Sequence, residues 1–280
     1  MKLPLLTAIL FLGLASSLCA QTPFVETTEL GTTDWVNSYV EATGQGTSRY
    51  MGNRVQEELM AKQAARTTAQ ARLLEIVKGI RLSGISTLGA QAQSDTRAAS
   101  RIKGTLKGAR SINETVTWHE DKSSRRGEVV MAQVTLRLCV SPACTETREN
   151  LTRASLKAST KPKTAPNVPK TSEGDYSAVI IDLQQAMFLP ALSPEIINEK
   201  ADTIYSQDVV DDEVATQKGL IHYEKSVELA KKNEISGPNP FIVSAQRVST
   251  DNRIVLSNED AAKIHNLPAL KLGRVIVAMD

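Results

Sequence analysis

Three aspartates have the type and placement for acid/base or cation chemistry. Asp182 ends the apolar run Val179-Ile180-Ile181, Asp260 opens a helical segment, and Asp280 follows the last apolar run. Carboxylates at strand ends and helix starts can bind a cation or exchange protons when those ends converge. Each also has a structural role open to it. Asp182 can accept from backbone N–H groups in the Gln184-Gln185 turn, Asp260 can partner an N-terminal cap, and Asp280 sits beside a terminal carboxylate. The structural reading is favoured, because a carboxylate marks a site when a specific partner is identified.

Other chemistries lack their residues. His119, His222 and His265 are scattered, with no HExxH pattern and no close His/Asp cluster, so each is expected at the surface or in a hairpin rather than on a metal. No G-x-S-x-G elbow occurs. "ATGQGTSRYMG" contains glycines but neither the lysine of a phosphate-binding loop nor the G-x-G-x-x-G spacing, and reads as a strand-to-helix turn. The expectation is a protein without enzymatic activity, with no catalytic residues, no metal and no cofactor.

Cysteine usage goes with export. Lys2, the apolar stretch Leu3 to Leu14 and the small-residue "ASSLCA" together have the form of a secretory signal over residues 1–20. That apolar stretch is shorter than the roughly 20 residues a bilayer span needs, and no later segment qualifies. Cys19 is out of place for lipidation, since Leu18 and Ser16 reverse the expected order before an acylated cysteine; cleavage after Ala20 discards it. Cys139 and Cys144, in "RLCVSPACTE", remain. An oxidising compartment permits a bridge, and Pro142 favours the turn that closes it.

The 280 residues divide into a signal (1–20), an arm (21–34), a first module (35–149), a linker (150–174) and a second module (175–280). The linker carries three prolines and four lysines without apolar periodicity. In the first module, "DWVNSYVEATGQG" reads as a strand with Val36, Val40 and Ala42 on one face, closed by Gly44 and Gly46. A long helix follows, with Val55, Leu59, Ala65, Ala69, Leu73, Ile76 and Ile80 at helical spacing. Its central alanines let it sit close to a sheet. "GTLKGARSINETVTWHE" and "GEVVMAQVTLRLCV" read as a hairpin, the second run alternating Val130, Ala132, Val134, Leu136 and Leu138 inward. The order is β-α-β-β. "AARTTAQARLLEIVKGI" and "TLKGARSI" resemble the LPP lipoprotein family of bacterial envelopes, which includes the flagellar accessory protein FlgP and resembles the N-terminal part of FlgT. The resemblance covers about residues 35–140 and implies a fold shared with envelope proteins.

The second module is expected to alternate strands and helices: "YSAVIID", a hairpin about "NEKA", a helical "DDEVATQKGLIHYEKSVELAKKNE" broken near Gly219, strands in "PFIVSAQRVS" and "RIVLS", a helix begun by Ser257, and a closing "RVIVAMD". "LSNEDAAKI" paired with "RVIVAMD" resembles the C-terminal module of uncharacterised bacterial envelope proteins. The fold class is therefore α+β, a β-α-β-β module with one long helix on a small sheet joined to a mixed α/β module. With 33 basic and 31 acidic residues, a dedicated nucleic-acid binder is disfavoured. Two functions stay open. One is a periplasmic or outer-membrane-associated assembly protein, a homo-oligomer with envelope or flagellar partners. The other is a periplasmic module recognising peptidoglycan, a cation or a small polar ligand.

Overall fold

The computed structural model describes residues 24–156 and 176–279. The chain enters through β1 (Val25–Thr27), β2 (Thr32–Asp34) and β3 (Tyr39–Thr47), then forms α1 (Arg54–Gly79). The strand expected to begin at Asp34 starts instead at Tyr39, because Asp34 accepts from the Asn37 backbone and side chain and folds residues 35–38 into a turn. Next come β4 (Arg81–Ser83), β5 (Ser86–Thr87), α2 (Leu88–Ser94) and α3 (Thr96–Lys107). The hairpin β6 (Arg110–Glu120) and β7 (Glu128–Cys139) completes an antiparallel sheet of order β1-β2-β3-β7-β6. The expected order β-α-β-β is carried by β3, α1, β6 and β7.

Close packing of α1 on β3 depends on missing side chains. A Cβ on Gly44 would lie 2.2 Å from the Ala65 carbonyl oxygen, and one on Gly46 would lie 2.2 Å from the Ala65 nitrogen. Both glycines continue the strand rather than close it. Opposite them, the buried line of the helix is Glu57, Ala61, Ala65, Ala69, Leu73 and Val77. Val55 and Leu59, expected on that line, are 64% and 60% exposed. At this separation methyl groups fit and branched chains do not, so the small-residue face turns to the sheet. Asn53 begins the helix by accepting from the Val55 and Gln56 N–H groups.

After β7, α4 (Leu151–Ser155) is capped by Asn150 and buries Leu151, Thr152, Ala154 and Ser155. The first residues of the expected linker thus belong to a packed turn, held there by the Arg101 Nε bond to the Ala154 carbonyl (2.9 Å). Its remainder, residues 157–174, lies outside the described residues, as do the signal segment and Cys19.

The second part comprises β8 (Ala178–Asp182), β9 (Ile196–Asn198), β10 (Thr203–Tyr205), α5 (Asp212–Lys218), β11 (His222–Glu224), α6 (Val227–Lys232) and β12 (Pro240–Ser244). It continues with β13 (Arg247–Val248), β14 (Ile254–Leu256), α7 (Asn258–Ile264), α8 (Pro268–Lys271) and β15 (Val275–Ala278). One sheet, β11-β15-β8-β12, is wholly parallel. Its central strands β8 and β15 are continuous apolar runs, as strands covered on both faces must be. The other, β10-β9-β14-β13, is mixed.

Two expectations need correction here. The segment read as one interrupted helix contains β11 between α5 and α6. Gly219, at φ 91°, ends α5, and β11 then pairs with β15, a partner some fifty residues away that local periodicity cannot reveal. "PFIVSAQRVS" splits between sheets: β12 follows β8, while β13 turns off to pair with β14.

The two parts share one apolar core. The Leu192 and Ser193 N–H groups donate to the Arg81 and Leu82 carbonyls (2.9 and 2.7 Å). Arg81 Nε donates to the Pro190 carbonyl at 2.9 Å, and Ser83 Oγ to Glu195 at 2.8 Å. Phe24, Trp35 and Phe188 surround Tyr223.

Candidate functional site

Asp182 stands at the carboxyl end of β8, half-buried, where its Oδ1 accepts from the Gln184 N–H at 2.8 Å. That bond braces a turn in which Gln184 and Gln185 both hold left-handed backbone, at φ 49° and 63°. The carboxylate is spent on local geometry. Beyond the turn, Met187 is 87% exposed.

Asp260 lies on a different sheet's connection, in the first turn of α7 after β14. Ser257 Oγ accepts from its N–H at 3.0 Å, the serine half of the expected capping box, and donates to its carboxylate at 2.8 Å, a bond the carboxylate takes from the hydroxyl. Lys263 Nζ adds a contact at 3.4 Å. Asp280 lies outside the described residues. Asp182 and Asp260 therefore each have a local partner, one at the end of a strand of the parallel sheet and the other in a helix that follows a strand of the mixed sheet. Among the described residues, no three His, Cys, Asp or Glu side chains group closely enough to hold a metal ion.

Cys139 and Cys144 are bonded to each other, with S–S 2.08 Å. Cys139 ends β7, and the bridge closes the loop carrying Pro142 and Ala143. Thr147 fastens the same corner, its Oγ1 accepting from the Cys139 N–H at 3.1 Å.

The histidines differ. His119 is exposed on β6 beside Thr117 Oγ1 (2.9 Å), and His265 is exposed at the end of α7. His222 is not a surface residue: it begins β11 and is buried. Burial pulls its pKa down to about 4, against an opposing hydrogen bond to the Lys218 backbone, so the ring is neutral at pH 7. Its Nε2 is buried with no hydrogen-bond partner among the described residues. A lone histidine between an apolar pair and a polar one carries no spacing signal that would have singled it out.

His222 forms part of the wall of a groove of about 650 Å³. The groove runs between the disulfide loop, at Pro142 and Ala143, and the amino ends of β11 and β15. Lys218 ends α5, Lys232 ends α6, and Arg274 leads into β15, all three lining it. Glu234 is its only acidic lining residue. Gly219 approaches Pro142 here: a Cβ on the glycine would lie 3.5 Å from the proline ring.

A comparison with known families bears on this half of the chain. Residues 178–280 match the family of the Treponema pallidum Tp0624 second domain. The match begins at the first residue of β8 and takes in both sheets and all of the groove except Pro142 and Ala143. No curated protein matches the chain.

Proposed function

We propose that this protein is an exported, non-catalytic assembly component of a bacterial envelope, acting in the periplasm or at the outer membrane, with a flagellar basal ring or disk as the structure it serves. The observation that carries the reading is β6. It spans 11 residues at the edge of its sheet, and most of its side chains are exposed. A long open edge is a template for pairing with another chain, which globular proteins usually cover or shorten. The export signal expected over residues 1–20 and the LPP-type resemblance of residues 35–140 support the same reading. So does the similarity of the second part to a domain of a bacterial protein.

Sedimentation of the full chain, with localisation of a tagged copy, tests the proposal. A species larger than the monomer in an envelope fraction is expected. A monomer at every concentration removes the assembly role, and a cytoplasmic tag removes the reading entirely. A deletion strain with unchanged motility and basal bodies removes the flagellar part alone.

A further inference from the structure

We propose that the groove between the disulfide loop and the amino ends of β11 and β15 binds a small oxyanion, a carboxylate or phosphate, that also carries a hydrogen-bond donor. Its volume, about 650 Å³, falls in the range of small-ligand sites, and it lies at a joint between two parts of the fold, where such sites concentrate. The lining sets Lys218, Lys232 and Arg274 against Glu234. Neither lysine lies within 4.0 Å of a carboxylate among the described residues, although the Lys232 charge is felt by Glu228 on its own helix, and Arg274 gives one guanidinium bond to the Ser177 carbonyl (3.3 Å).

The lysines have a simpler role available, because a helix C-terminus favours a nearby cation. That accounts for Lys218 on α5 and Lys232 on α6. It does not account for Arg274, which comes from the lead-in to a strand and brings a third positive charge to the same space. Planar, fork-shaped guanidinium suits an oxyanion. His222 adds the second requirement. One ring nitrogen is engaged by the Lys218 backbone, and the other, Nε2, is buried with no hydrogen-bond partner among the described residues. Buried polar atoms are rarely left so. A ligand hydroxyl or N–H that draws the ring outward would satisfy it, so an anion with a donor should be preferred to one without.

Calorimetry on the full chain at fixed ionic strength tests the site with inorganic phosphate, lactate and acetate as probes. Saturable binding of phosphate or lactate is expected, with acetate, which lacks the hydroxyl, weaker. The His222 ring resonances should shift along the same isotherm. Lys218→Glu with Lys232→Glu should weaken binding by at least about tenfold, whereas Lys271→Glu, on α8 outside the groove lining, should leave it unchanged. If the double variant does not fold, Lys232→Gln alone serves. No saturable binding into the millimolar range, or equal binding by wild type and the groove variant, overturns the proposal. Sedimentation reads the assembly role separately, so either proposal can fail without the other.

Discussion

Trp35 and Tyr223 meet edge to face with ring centroids 5.8 Å apart, one from the turn before β3 and the other from β11. The Tyr223 hydroxyl donates to the Ala191 carbonyl at 2.7 Å and accepts from the Ala191 N–H at 3.0 Å. One side chain thus joins the antiparallel sheet, the parallel sheet and the segment between β8 and β9. Burial raises its pKa above that of an ordinary phenol.

Tyr223→Phe keeps the ring contacts and strands both Ala191 backbone groups in a dry site. Leaving buried polar groups unpaired costs about 1–3 kcal/mol. Urea denaturation should show that loss in a single transition, with near-ultraviolet and far-ultraviolet signals moving together because the two parts share a core. Two separated transitions in the wild-type protein would contradict the shared core.

Gly44→Ala should be far worse than an ordinary glycine substitution. The new methyl would stand 2.2 Å from the Ala65 carbonyl oxygen and 2.3 Å from the Ala69 nitrogen, so α1 must lift from β3. A loss of about 1–3 kcal/mol or more is expected. Gly104→Ala, in α3, where a Cβ would meet nothing within 4 Å among the described residues, is the control. It should gain up to about 1 kcal/mol from helix propensity. Comparing the two melting temperatures checks the argument.

His222 makes stability depend on pH. Its folded pKa is about 4 against an ordinary 6.5, so the unfolded chain binds the proton more tightly. The neutral ring's contribution is intact above pH 6.5 and drains away as pH falls toward 4. Between pH 7.5 and 5 the loss from this group is about 2 kcal/mol. His222→Asn should flatten that part of the curve in urea titrations at the two pH values, even if the variant is less stable throughout.

Reducing the Cys139–Cys144 bridge should lower the denaturation midpoint. A loop this short is worth about 2 kcal/mol in the chain-entropy account. Cys139→Ala with Cys144→Ala should reproduce the loss, and reductant should then have no further effect on the double variant.

Much of the fold is legible where a residue's environment is set by its near neighbours. The alternation from Val130 to Leu138 marks β7, all five inward residues being buried. Ser257 and Asp260 mark the start of α7 because a cap is local chemistry. Reading fails where a distant partner decides. "HYE" becomes β11 because residues 276–278 lie beside it, and nothing in "QKGLIHYEKS" shows that. Val55 and Leu59 fit helical spacing as well as Ala61 does, and only the bare backbone of Gly44 and Gly46 selects the small-residue face.

The groove was invisible for the same reason. Its cations come from the ends of two helices and the approach to a strand, spread over more than fifty residues with no common spacing. Asp182, by contrast, stands out in sequence and proves to hold a turn through the Gln184 N–H.

The parallel sheet has a consequence for the order in which the chain can fold. β15, the last of its strands in the chain, lies between β8 and β11 and touches both. Until residues 275–278 are available, β11 has no neighbour in the sheet and β8 has only β12. The parallel sheet therefore cannot close progressively from its amino end as the chain lengthens, although the mixed sheet has all its strands by Leu256. The parallel sheet stays in two pieces, β8 with β12 and β11 alone, until its central strand is delivered last.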